Sequence, residues 1–385
     1  MKNAMTVVLL LLGSAGSLSV HGASFFGLGD LPDGATASYA HAVSGDGTTV
    51  VGQSASASGL EAIRWTVQGG IVGLGDLAGG IYESSALDVS YDGSVIVGFA
   101  NIPSFIPTTP PQGGQTAFRW VNGTMTDIEP PSFTSTAFAV SADGSIVAGT
   151  RYQATNEPFF AFRAGVNIGR TGRGPVFESA KSLSADGLIA VGVGSFFSAL
   201  NPEAVGWIPN ADPKGYASGL GALPQSSSSV AEAISADGTT IVGHSSGPYG
   251  TEATIFTPGP PHGIGDLPGG SLSSRAYGVS GDGRIIVGEA SADSGPEAFV
   301  WSEAGGMRSL KDILMSSGVD IAGWSLYRAE DVSDDGRVIV GVGVNPMGQW
   351  EGWVVMIPEP SSCFLAVWSV GLLGVTSRIS RPKNG

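Results

Sequence analysis

The sequence predicts an all-β protein, a seven-bladed β-propeller of four-stranded blades closed by an N-terminal strand that completes the last blade. Three observations predict it: one phrase repeated seven times at blade-sized spacing, four short strand candidates in each repeat, and a stray strand at the start that matches a position missing at the end. Composition agrees. The 60 glycines and 23 prolines, with only 13% charged residues, describe short strands and tight turns, while 42% hydrophobic residues is too many for a disordered chain.

The repeated phrase runs Ser, any residue, Asp, Gly, two variable residues, an apolar pair and usually Gly. Its copies carry Ser44, Asp46 and Gly47; Ser90, Asp92 and Gly93; Ser141, Asp143 and Gly144; Ser184, Asp186 and Gly187; Ser235, Asp237 and Gly238; Ser280, Asp282 and Gly283; and Ser333, Asp335 and Gly336. Successive serines lie 46, 51, 43, 51, 45 and 53 residues apart, close to the roughly 40 to 50 residues of a propeller repeat.

In the first unit, residues 40–44 form one strand and Asp46-Gly47 turns the chain into a second over 48–53. A third strand, 61–65, ends on Trp65 and recurs with Trp120, Trp207 and Trp301. The fourth, 71–77, recurs at 219–223 and 263–267. The second strand carries consecutive apolar residues, such as Val50-Val51, Ile96-Val97 and Ile241-Val242, so both of its faces are expected to be buried between stacked sheets. Residues 310–317 read as one short inserted helix.

Residues 25–31, Phe-Phe-Gly-Leu-Gly-Asp-Leu, match the fourth strand but precede the first copy of the phrase, and the last unit ends at Val355 after its third strand. An open solenoid has no reason to begin and end at complementary points of its repeat; a ring has.

The ends read as addresses. Residues 1–23 combine Lys2, an apolar run over 7–12 and small residues up to Ala23, the pattern of a signal peptide, leaving a body of residues 24–357. Residues 358–385 combine Pro358-Glu359-Pro360, an apolar stretch over 363–375, and Arg378, Arg381 and Lys383. That tail resembles the PEP-CTERM sorting signal of Gram-negative bacteria. The resemblance implies recognition by an exosortase-type membrane protease at Pro358, Glu359 and Pro360, transient anchoring by a hydrophobic transmembrane helix, then release to the cell surface, often in a biofilm matrix rich in exopolysaccharide. The apolar stretch is shorter than the roughly 20 residues of a full span. The body, over roughly 25–355, resembles bacterial extracellular HAF-repeat proteins, which carry the Ala-Val-Ser-x-Asp-Gly and Gly-Leu-Gly-Asp-Leu phrases. That resemblance implies a repeat fold and no activity.

The sole cysteine, Cys363, lies in the tail, so the body has no internal disulfide and must be held by its core and by closure. A net charge of -15 excludes nucleic acid as a partner. The seven Asp-Gly pairs invite a calcium reading, but each turn offers one carboxylate where a hard cation needs six or more oxygens. The turns are therefore read as structural, with Ser hydrogen-bonding across the loop. His41, His244 and His262 each stand alone in a repeat, without metal or Ser-His-Asp spacing. Arg64, Arg119 and Arg163 recur at one strand position, as any repeat allows, and so give weak grounds for a glycosidase. The longest loop, 99–115, with Phe105 and four prolines, is a candidate binding loop. No catalytic, cofactor-binding or metal residue is assigned. The expectation is an exported, non-catalytic module that binds polysaccharide or another surface protein, with a propeller glycoside hydrolase or lyase as the alternative.

Overall fold

Each Asp-Gly turn joins the first two strands of an antiparallel sheet, as a computed structural model shows for residues 22–102, 114–129, 133–153, 160–163, 166–167, 178–195, 201–208 and 216–357. In the first sheet the strands follow chain order: Ser38–Val43, Val50–Ser56, Gly59–Thr66 and Gly70–Gly73. Ser44 donates its hydroxyl to Asp46 Oδ1 at 2.6 Å, Asp46 Oδ1 accepts the Thr48 N–H, and Ser44 Oγ accepts the Thr49 N–H. The same three bonds recur in all seven turns. Glycine follows the Asp because φ there is positive, +74° at Gly47, which a side chain would oppose.

The first strands of the seven units, Ser38–Val43, Ser84–Val89, Phe133–Val140, Ser179–Leu183, Ser228–Ile234, Gly269–Val279 and Ser325–Val332, stand side by side, and the last packs against the first. They enclose a central channel. The turns at one end are linked in a circle by main-chain hydrogen bonds of 2.9–3.2 Å. Asp46 N–H donates to Tyr91 O, Tyr91 to Ala142, Ala142 to Ala185, Ala185 to Ala236, Asp237 to Gly281, Gly281 to Asp334, and Asp334 back to Gly45. The fold is therefore all-β, a propeller arrangement of four-stranded sheets around an axis.

The expectation of seven separate four-stranded sheets is corrected. Five stand apart, and the remaining strands form one eight-stranded sheet. A single parallel pairing, Thr251 with Ser273, causes the fusion. There the fourth strand has shrunk to His262–Gly263, and the next inner strand starts early, at Gly269, so the chain runs extended beside Gly250–Thr257.

Strand Ser24–Gly27 pairs antiparallel with Trp350–Met356 as the outer member of the last sheet. Gly29 N–H donates to Glu351 Oε1 at 2.9 Å, and Phe25 packs edge-on against Trp324 at 4.9 Å between ring centres. The apolar pairs of the second strands are buried on both faces, with Val51, Ile96, Val97, Val242 and Val287 fully enclosed. The inserted segment is the α-helix Leu310–Ser316, capped by Ser309, whose Oγ accepts the Asp312 N–H. Residues 1–21 and 358–385, which include Pro358, Glu359, Pro360 and Cys363, lie outside the described residues. Among the described residues, no helix is long and apolar enough to cross a membrane.

Candidate ligand-binding channel

The glycine that closes the repeated phrase shapes the channel wall. Gly52 pairs with Ala40, and a Cβ on Gly52 would lie 1.9 Å from the carbonyl oxygen of Tyr39. Glycine therefore lets the two main chains approach more closely than any side chain permits. The register then slips by one residue between Ala40 and Ala42, leaving His41 as an unpaired bulge. The same Ala–Gly pairing and slip recur in every unit, at Ala86–Gly98, Ala137–Gly149, Ala180–Gly192, Ala231–Gly243, Ala276–Gly288 and Ala329–Gly341. All seven alanines are fully buried.

The bulged residues are His41, Leu87, Phe138, Lys181, Glu232, Tyr277 and Glu330 in ring order, and each is half-buried. A bulge re-aims the side chain it displaces, and His41, Lys181, Glu232, Tyr277 and Glu330 each interact with charged groups of other units. Lys181 Nζ meets Glu232 Oε2 on the neighbouring strand at 2.7 Å, and Glu330 is close enough to feel the charge of Glu232 two units away. Second-strand and neighbouring residues complete the belt. Arg275 Nη1 and Tyr277 Oη both donate to Glu289 Oε1, at 2.8 and 3.0 Å, and Arg328 pairs with Glu330 while lying over the Tyr277 ring. The inner strands of the fourth to seventh units thus carry a charged arc and those of the second and third, bearing Leu87 and Phe138, an apolar one, with His41 between the seventh and the second.

Burial sets the electrostatics. It lifts the Glu330 carboxyl to about 7 against the opposing pull of Arg328, with Glu289 and Glu232 adding to the rise. It pushes His41 down to about 4, with Arg328 adding to the fall, and lowers His244, whose Nδ1 lies 3.8 Å from Glu232 Oε1. Tyr277 is raised, first by burial and then by Glu289.

Beside the turns lies a cavity of about 120 Å³ whose lining includes Val43, Asp88, Tyr91, Val140, Asp331 and Asp334. Asp88 Oδ2 accepts the Val140 N–H at 2.7 Å, and Asp331 Oδ2 accepts the Val43 N–H at 2.9 Å, so each carboxyl ties its strand to the next unit. Burial lifts Asp88 to about 7 and Asp331 to about 8.

The residues singled out from sequence fall elsewhere or in part. The seven Ser–Asp–Gly turns ring one end of the channel, and Asp46 Oδ1 there is already taken by Ser44, Thr48 N–H and the Thr48 hydroxyl. Among the described residues, no group of three or more His, Cys, Asp or Glu is placed to hold a metal. Arg64, Arg119 and Arg163 do not converge: Arg64 lies over Trp120, Arg119 donates to Gly144 O, and Arg163 to Leu188 O, each reaching the next unit. His262 is exposed, but His41 and His244 belong to the channel belt rather than standing alone. The binding-loop expectation over 99–115 is corrected at its ends, where 99–102 and 114–115 are the ends of the paired strands Val95–Ile102 and Gly114–Val121, while residues 103–113, with Phe105, lie outside the described residues. The belt itself was missed. Its signal was in the sequence: three residues before each phrase serine, the residue changes freely, while four before it every unit has alanine.

No family model matches the chain, and no curated protein matches it. Solved structures do. An oligogalacturonate lyase from Vibrio parahaemolyticus is similar at 10% identity over 87% of this chain and 94% of that one, with a TM-score of 0.55. TolB from Acinetobacter baumannii is similar at 14% identity over 70% of this chain and 62% of its own, so the chain spans less than two thirds of that protein, with a TM-score of 0.42. A putative TolB from Agrobacterium tumefaciens is similar at 11% identity over 70% of this chain and 89% of that one, with a TM-score of 0.40. At such identities the lyase likeness speaks for a propeller fold alone.

Proposed function

We propose that the chain is an exported, non-catalytic seven-bladed propeller that binds a polysaccharide or another surface protein in its axial channel. The eight-stranded sheet counts as two blades in this reading, because one bridged residue pair joins two otherwise complete antiparallel groups. Seven linked turns and seven inner strands support that count. The signal-peptide pattern and the Pro358-Glu359-Pro360 tail support export and handling by an exosortase-type protease.

One observation carries the binding role. Seven bulges hold seven side chains at equivalent points of the wall, and those side chains vary while the flanking Ala and Gly do not. Constant scaffold with variable content is how a ring presents a recognition surface.

A second reading, a glycoside hydrolase or lyase acting on extracellular polysaccharide, has its own support. Glu330 titrates near neutrality among Glu232, Glu289 and Tyr277, which suits proton transfer. Calorimetry with a panel of exopolysaccharides, run beside a product assay on the same panel, separates the two. Saturable binding without product is expected. Product formation that disappears in Glu330→Gln would replace the binding module with the enzyme.

A further inference from the structure

We propose that the channel's ligand is an acidic polysaccharide, with a sugar carboxylate held by Lys181, Arg275 and Arg328 and the sugar's apolar face turned towards Phe138 and Leu87. This deepens the binding reading and rests on the channel being the site.

Each belt cation has a glutamate partner, yet the pairs are not symmetrically placed. Side-chain exposure is 32% for Lys181 against 14% for Glu232, 35% for Arg275 against 14% for Glu289, and 35% for Arg328 against 13% for Glu330. In all three pairs the carboxylate lies in the wall and the cation stands forward. Arg275 uses Nη1 on Glu289 and Arg328 uses Nε on Glu330, which leaves further N–H groups of each guanidinium directed away from those bonds. A guanidinium held by a buried acceptor is an oriented donor for an incoming carboxylate, and such charge-assisted pairs are the strong ones. The channel therefore presents three cations in front of three more deeply buried carboxylates, so an incoming carboxylate meets the cations first.

The choice of a sugar follows from the rest of the ring. Phe138 and Leu87 sit opposite the charged arc in ring order. Tyr327, next to Arg328, packs edge-on against Trp350 at 5.2 Å, and Trp350 is exposed. A uronate unit has both matching faces, a C–H face for aromatic and aliphatic contact and a carboxylate edge.

The test is calorimetry on the full chain with polygalacturonate, alginate and hyaluronate fragments, their carboxyl-methylated forms, neutral dextran and poly-glutamate. At least one uronate is expected to bind, with affinity falling about tenfold or more on methylation and again in Arg275→Gln or Arg328→Gln. Lys181→Gln serves if an arginine variant fails to fold, as judged by its melting transition. Tight binding of neutral or methylated glycans that is lost in Phe138→Ala would overturn the acidic-ligand inference and leave the channel as the site. Binding of poly-glutamate in preference to every uronate would overturn the sugar. Uronate binding untouched by all channel substitutions, or no binding by any probe, would overturn both.

Discussion

Gly243 has no side chain because the carbonyl oxygen of Val230 occupies the place, 2.0 Å from where a Cβ would be. Backbone cannot step aside as a flexible side chain can, so Gly243→Ala is expected to lose about 1–3 kcal/mol in urea unfolding, the scale of an overpacked core. It should also disturb Glu232, the residue that the bulge opposite displaces. Asp88 presents another residue-scale conflict. Its two oxygens accept the Val89 and Val140 N–H groups, which favours the carboxylate, yet burial outweighs them and lifts the group to about 7. Because the folded-state value exceeds the unfolded one of about 4, folding binds a proton. The associated stability is present in acid and fades as pH rises through about 7. Asp88→Asn is therefore expected to raise the melting temperature at pH 8 relative to wild type, and to narrow the gap at pH 5, where the aspartate is already neutral.

At the scale of the element, the Ser–Asp–Gly turn is a small closed circuit of hydrogen bonds. Ser235 Oγ both donates to Asp237 and accepts the buried Thr240 N–H at 2.9 Å. Ser235→Ala strands that donor, and a loss of about 1–2 kcal/mol is expected in chemical unfolding. The turn was legible from the sequence because its chemistry needs particular residues at fixed spacing: hydroxyl, carboxylate, then a residue free to take positive φ. The bulge was not legible in the same way. Its defining residue is the one that varies, and its cause sits in the strand opposite, in a glycine already credited to the phrase. The fused sheet escaped for a third reason, since Thr251 and Ser273 pair through main chain at a place where neither residue type signals a strand. Four-strand units, the inserted helix and the strand ahead of the first unit were all readable from period and patterning.

For the whole molecule, the titrating groups divide by location. At the rim of the turns, Asp143, Asp186 and Asp237 are held below the ordinary carboxylate range, first by the hydroxyls of Ser141, Ser184 and Ser235. Their contribution is present above about pH 4 and is lost as pH falls, towards about 2 for Asp143. In the channel, Asp88, Glu330 and Asp331 have the opposite sign, and what they contribute is lost as pH rises through about 7 to 8. Thermal unfolding across pH 2 to 9 is accordingly expected to show greatest stability in mildly acidic solution, between the two limbs. A melting temperature that climbs steadily from pH 5 to 9 would contradict the buried assignments. In cells, Glu359→Ala is expected to hold the chain in the membrane fraction if the tail is a processing signal, a result read by fractionation and immunoblot.

The pairing of Ser24–Gly27 with Trp350–Met356 also has a meaning in time. Gly29 and Glu351 are 322 residues apart along the chain, so the first strand synthesised must wait for almost the entire polypeptide before its partner exists. Until then the last sheet lacks its outer edge, and Phe25 has neither Trp324 nor Trp353 beside it. Contacts of such separation form late and slowly. The clasp is thus made last, and a ribosome that stalls before Trp350 leaves an unfastened chain with an open, adhesive margin.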